Sequence, residues 1–209
     1  MLDRHGKRST HSLHDAKSSN THESCMGDSY VARTHHRRRP HGRLLGERDV
    51  ILPEERNQTK DTAFYMSVQL TKLKVCAHAA RNCNTDLISW LDFGLFKISQ
   101  NKGRFWLTLK SLANASGLRR ILSPGGYDSH PIDPLNLIRW KTLGGVLLGP
   151  KHEFPLAYER QKHLVEIHLP KLAWEVNYWA LLTEEGLFDL YPADHDDSIL
   201  SNLKSRLRI

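Results

Sequence analysis

With 209 residues, the chain has the length of one domain with a sizeable core. Three cysteines without a Cys-x-x-Cys pair exclude a disulfide framework, and no apolar run has the length of a membrane span or the character of a signal h-region. The net charge of +7 admits an anionic partner, so where that charge sits matters.

Residues 1–60 hold twelve of the thirty Lys and Arg, seven of the thirteen His and one aromatic, Tyr30. A segment so poor in large apolar side chains cannot offset the entropy of ordering it. It is predicted to be a disordered basic tail, with the folded domain over residues 61–209. THHRRRPHGR (Thr34–Arg43) has the charge to touch nucleic acid or an anionic membrane, although a solvated run without a dedicated partner is the favoured expectation. Reduced thiols at Cys25, Cys76 and Cys83 and the lack of a leader predict a cytoplasmic protein.

Phe64–Asn84 reads as a short strand-like start followed by a helix with Leu70, Leu73, Val75, Ala77 and Ala80 on its apolar side. LISWLDFG (Leu87–Gly94) reads as a buried strand. Gly103–Ala113 alternates Phe105, Leu107 and Leu109 and predicts another strand, while Ser123–Pro134 predicts a loop. Ile138–Pro150 predicts a strand interrupted by Gly144-Gly145, which marks a bulge or a place where a ligand comes close to bare backbone. Phe154–Leu169 and Leu172–Gly186 predict helices, the second ending on Gly186 as C′ residue. Gly186–Leu200 predicts a short strand and an acidic turn. Helices alternating with strands give an α/β fold.

Three polar clusters interrupt apolar sequence. Asp92 ends a strand, where ligands of open α/β sheets bind, or else caps the turn before Gly94. In WEVNYW (Trp174–Trp179), Glu175 beside Trp174 is a candidate general base in a partly dry cleft, or else a surface carboxylate. Glu175 and Asn177, about 200° apart on a helix, are not expected to share its apolar side. In ADHDDS (Ala193–Ser198), three carboxylates flank His195, a set suited to Mn²⁺ or Mg²⁺ or to an acidic turn capped by Asp196 or Asp197.

YMSVQLTKLKVCAHAARNCNTDLISWLDFGL, LGGVLLG, WEVNYWALL and DHDDSIL, in this order over Phe64–Leu200, resemble the HtrL/YibB-like glycosyltransferase family of GT-A type. The resemblance implies a GT-A-like mixed sheet flanked by helices, a nucleotide-sugar donor, a glycan or similar acceptor, and Mn²⁺ or Mg²⁺. It makes Asp92, Asp194 and His195 metal ligands and Glu175 the catalytic carboxylate. It places Gly144, Gly145, Trp174 and Asn177 at the substrate. Asp-Phe-Gly stands where the family has Asp-x-Asp. The family's proteins are longer at the N-terminal side, so a shortened or divergent copy lacking the base-binding half is expected. The rivals are a glycosyltransferase-like binding domain without turnover, a nucleic-acid binder using Arg33–Arg43, and a metal phosphohydrolase using Asp92 and Asp194–Asp197.

Overall fold

A computed structural model describes residues 50–112, 114–126, 135–138 and 140–207. The expectations for the basic tail through Asp49 and for residues 127–134 lie outside the described residues. Upstream of Asp61, Val50 and Leu52 pack against the core and Ile51 bridges Lys171, so packing extends beyond the expected boundary.

Among the described residues, ten elements follow in chain order: α1 (Ala63–Asn82), β1 (Leu87–Leu91), α2 (Leu95–Ile98), α3 (Lys102–Leu112), β2 (Ile121–Gly125), β3 (Val146–Pro150), α4 (Glu153–His168), α5 (Glu175–Glu184), β4 (Phe188–Pro192) and α6 (Ser198–Leu207). The strands form one sheet in the order β1-β3-β2-β4. β3 is antiparallel to β1 and β2, and β2 is parallel to β4. Hence β1, β2 and β4 run the same way and their carboxyl ends share one end of the sheet. The fold is α/β with a mixed sheet.

Strand alternation separates two cores. Ile88, Ile121, Leu147 and Phe188 face Met66, Leu73, Phe154 and Trp179 of α1, α4 and α5. Leu122, Val146, Leu148 and Tyr191 face Leu95 of α2, Phe105 and Leu112 of α3, and Ile199 and Leu203 of α6. Among the described residues, no helix is long and apolar enough to cross a membrane.

Several boundaries differ from the sequence reading. Gly103–Ala113 is not a strand, because the buried positions of α3 are Phe105, Thr108 and Leu112, a helical spacing, while Leu107 points outward. Asn101 caps this helix by accepting the Arg104 N–H at 2.9 Å. The strand-like start expected at Phe64 is the first turn of α1, which Thr62 caps directly by accepting the Tyr65 N–H at 3.1 Å. The inward side of α1 is rotated from the expected one: Val75 is exposed, and Lys72 and Cys76 are buried. Burial pushes the Cys76 thiol up to about 12.

Ser123–Gly125 belongs to β2 rather than to a loop, because the fully buried Ile121–Gly125 pairs along its length with β4. β3 begins only at Val146, after Gly144-Gly145. Glu175 and Asn177 are both buried, contrary to expectation, because α5 is enclosed over most of its circumference.

α5 ends as predicted. Gly186 has φ +74°, its N–H donates to the Thr183 carbonyl at 3.0 Å, and the Leu187 N–H donates to the Leu182 carbonyl at 2.9 Å. These two bonds make a Schellman cap. A Cβ at Gly186 would lie 2.5 Å from Arg120 Nη1, a flexible tip that can move, but the left-handed φ remains. Gly186→Ala is expected to lower the unfolding free energy by about 1–2 kcal/mol in urea denaturation, and an unchanged midpoint would contradict this cap.

Candidate functional site

Lys72 lies on the inward side of α1 and is only 4 % exposed. An ammonium there requires partners for all three of its N–H groups. Its Nζ donates to Asp92 Oδ2 at 2.9 Å, to Glu175 Oε1 at 2.9 Å and to the Gly144 carbonyl at 3.1 Å. It also stands 5.7 Å from the centre of the Trp179 ring, itself fixed by an indole N–H bond to Gln161 Oε1 at 2.9 Å. Burial pulls the Lys72 pKa down, but Glu175, Asp92 and the hydrogen bonds to them outweigh it, so the net displacement is upward.

Each partner is held by its own element. Asp92 follows β1, and its N–H donates to the Gly145 carbonyl at 2.9 Å. Its second oxygen, Oδ1, accepts the Trp90 indole N–H at 2.6 Å. Glu175 is the first residue of α5, where the helix N-terminus favours a carboxylate. The turn before β3 is anchored by Thr142, whose hydroxyl donates to the Val176 carbonyl at 2.8 Å.

At both glycines a Cβ would be crowded, and the crowding groups are the protein's own side chains. A Cβ at Gly144 would meet Glu175 Oε1 at 2.8 Å, and one at Gly145 would meet Leu95 Cδ2 at 2.8 Å. Asp92, Gly144 and Glu175, expected at three distant points of the chain, thus meet around Lys72. Asp92 keeps one-third of its side chain exposed, whereas Glu175 is nearly enclosed. With Lys72, Asp92 and Glu175 all charged, the cluster keeps one net negative charge.

The other expected residues lie elsewhere. Trp174 is buried in the core formed with α1 and α4. Asn177 is fully buried and donates its amide to the Leu137 carbonyl at 2.9 Å. Asp194 and His195 follow β4, at the opposite edge of the sheet from β1. Three strand spacings, about 14 Å, separate those edges.

The Asp194 N–H donates to Ser198 Oγ at 2.7 Å, and His195 packs edge-on against Trp140 with ring centres 4.7 Å apart. The acidic turn resolves its repulsion through local bonds. Asp196 Oδ1 accepts the Ser198 N–H at 2.7 Å, and the Ser198 hydroxyl and N–H hold its carboxyl below the usual range. Asp197 accepts the Gln100 N–H on both oxygens, at 3.2 and 3.1 Å.

Among the described residues, no three His, Cys, Asp or Glu side chains are grouped to hold a metal ion. Asp92 already serves Lys72 and Trp90, so the expected set of Asp92, Asp194 and His195 does not fit one divalent ion.

Lys72 is not singled out by the sequence pattern. Its signal was its place four residues before Cys76, within the stripe of Met66, Leu73, Cys76 and Ala80. Trp90 also had a signal, since residues two apart on an extended segment share a face with Asp92.

Comparison of the chain with protein-family models, with curated proteins and with solved structures finds no match.

Lys72→Met would leave the Glu175 carboxylate buried without its cation and is expected to cost about 3–5 kcal/mol in chemical denaturation. A loss below about 1 kcal/mol would contradict the arrangement. The pH dependence has a definite sign. Because the folded pKa of Lys72 lies above its ordinary value of 10.5, its contribution is fully present below that pH and is lost as pH rises through the folded value. The stability gap between wild type and Lys72→Met should stay level from neutrality to about pH 10 and narrow above it.

Proposed function

We propose that the domain transfers a sugar from a nucleotide-sugar donor to a glycan or similar acceptor, at the end of the sheet where β1, β2 and β4 terminate. The observation that carries this reading is the meeting of Asp92, Gly144 and Glu175 at one point beside a strand end. Ligands of open α/β sheets bind outside the carboxyl ends of strands, and Asp92 is the partly exposed member of the cluster. The GT-A type of fold is part of the same proposal and is supported by the mixed sheet with helices on both faces.

In this reading Asp92 orients the donor and Glu175 takes the acceptor hydroxyl's proton as that oxygen bonds to the anomeric carbon, whose bond to the nucleoside diphosphate breaks and releases it, in an inverting transfer. Lys72 positions both carboxylates and is the cation the described residues hold at this point. The Mn²⁺ or Mg²⁺ implied by the resemblance lacks a fitting donor set among the described residues.

A second reading, donor binding without turnover, is favoured by one observation. Glu175 is 6 % exposed and bonded to Lys72, which a working base must escape. The two readings separate in a thermal-shift screen of nucleotide-sugars with and without Mn²⁺, followed by assays for transfer and donor hydrolysis. Sugar transfer requires a donor-dependent rise in melting temperature, weakened by Asp92→Asn, and turnover that Glu175→Gln lowers about 10²–10⁴-fold. Stabilisation without product selects the binding domain, and no stabilisation by any donor contradicts both.

A further inference from the structure

We propose that the α2–α3 surface docks on an anionic phospholipid bilayer. Two stripes divide α3. Phe105, Thr108, Leu109 and Leu112, at i, i+3, i+4 and i+7, face the core. Gly103, Trp106, Leu107 and Lys110 follow the same spacing on the opposite side, and all four are exposed. A solvated helix face is normally polar, yet this one presents Trp106 at 54 % and Leu107 at 67 % exposure.

The patch continues onto α2. The Phe96 ring lies 5.8 Å from that of Trp106, and Phe93, three residues earlier, is 96 % exposed. Lys102 arches over the Phe96 ring at 4.5 Å and donates to the Phe96 and Ser99 carbonyls.

Charge selects the partner. From Phe93 to Gly126 the sequence has six Lys and Arg and no Asp or Glu, and the carboxylates brought to this segment from elsewhere, Asp196 and Asp197, meet it at Ser99–Asn101 and Arg104. Exposed Trp, Phe and Leu beside exposed Lys97 and Lys110 match an interfacial anchor, in which apolar side chains enter the headgroup boundary and ammonium groups meet anionic lipid. Nucleic acid fits less well, because Leu107 and the exposed Ile98 offer no ring for base stacking. No described helix can span a bilayer, so the contact is peripheral. Phe93 is the residue after Asp92, so docking brings the membrane beside the cluster around Lys72. The proposal stands whether or not sugar is transferred there.

The test uses the full chain with phosphatidylcholine vesicles, with and without phosphatidylserine, at low and physiological salt. Sedimentation should show binding only with phosphatidylserine, weakening as salt rises. Brominated acyl chains should quench a tryptophan signal that Trp106→Phe removes without abolishing binding. Phe93→Ser/Leu107→Ser and Lys97→Glu/Lys110→Glu, all at exposed positions, should each weaken binding at least about tenfold while leaving the melting temperature unchanged.

Equal binding by these variants, or binding without Trp106 quenching, assigns the contact to the basic tail and overturns the proposal. It is also overturned by no binding, by a single-stranded oligonucleotide bound through Trp106 in place of vesicles, or by vesicle-independent dimers that the serine variants dissociate.

Discussion

Burying one ammonium governs the layout of this domain. Lys72 enters the interior from α1 and must find three acceptors there. They come from the end of β1, the turn before β3 and the first residue of α5, so four segments are fixed relative to one another by one nitrogen. The same arrangement crowds residue 144, where a Cβ would lie 2.8 Å from Glu175 Oε1. A hydrophobic side chain could fill the volume more cheaply. What the ion pair adds is direction, because it aligns the Asp92 and Glu175 carboxylates on a common donor.

The cluster retains one net negative charge and opens to solvent mainly at Asp92. A diphosphate does not approach such a point without compensating positive charge. From the next residue, Phe93, to Gly126 every charged side chain is basic. Across the sheet, Asp194 and His195 lie beyond β4, and their turn is held by Ser198, Gln100 and Trp140 rather than by a shared ion.

Much of this was legible in the chain. Gly186 marked the end of α5, and Asp92 and Gly144-Gly145 were singled out by polarity or missing side chains within apolar runs. The misreadings have physical causes. Phe105, Leu107 and Leu109 alternate, but Phe105, Thr108 and Leu112 carry the burial, and a buried threonine hid the helical period. β2 was obscured by Pro124 and Gly125, which read as loop until paired with β4. The place of Lys72 in the buried stripe of α1 was readable, but its partners were not, because the carboxylates it meets are 20 and 103 residues away. The resemblance placed Trp174 and Asn177 at the substrate, yet α5 is enclosed and both serve the interior.

The account turns on whether Lys72 and Glu175 are energetically one unit. A double-mutant cycle of Lys72→Met and Glu175→Gln, followed by urea denaturation at neutral pH, measures this directly. Residues bonded in one buried network should show a coupling of about 1–3 kcal/mol, with the double variant less destabilised than the sum of the singles. Additive losses, with a coupling within about 0.3 kcal/mol of zero, would mean that the ammonium and this carboxylate do not meet in the folded protein.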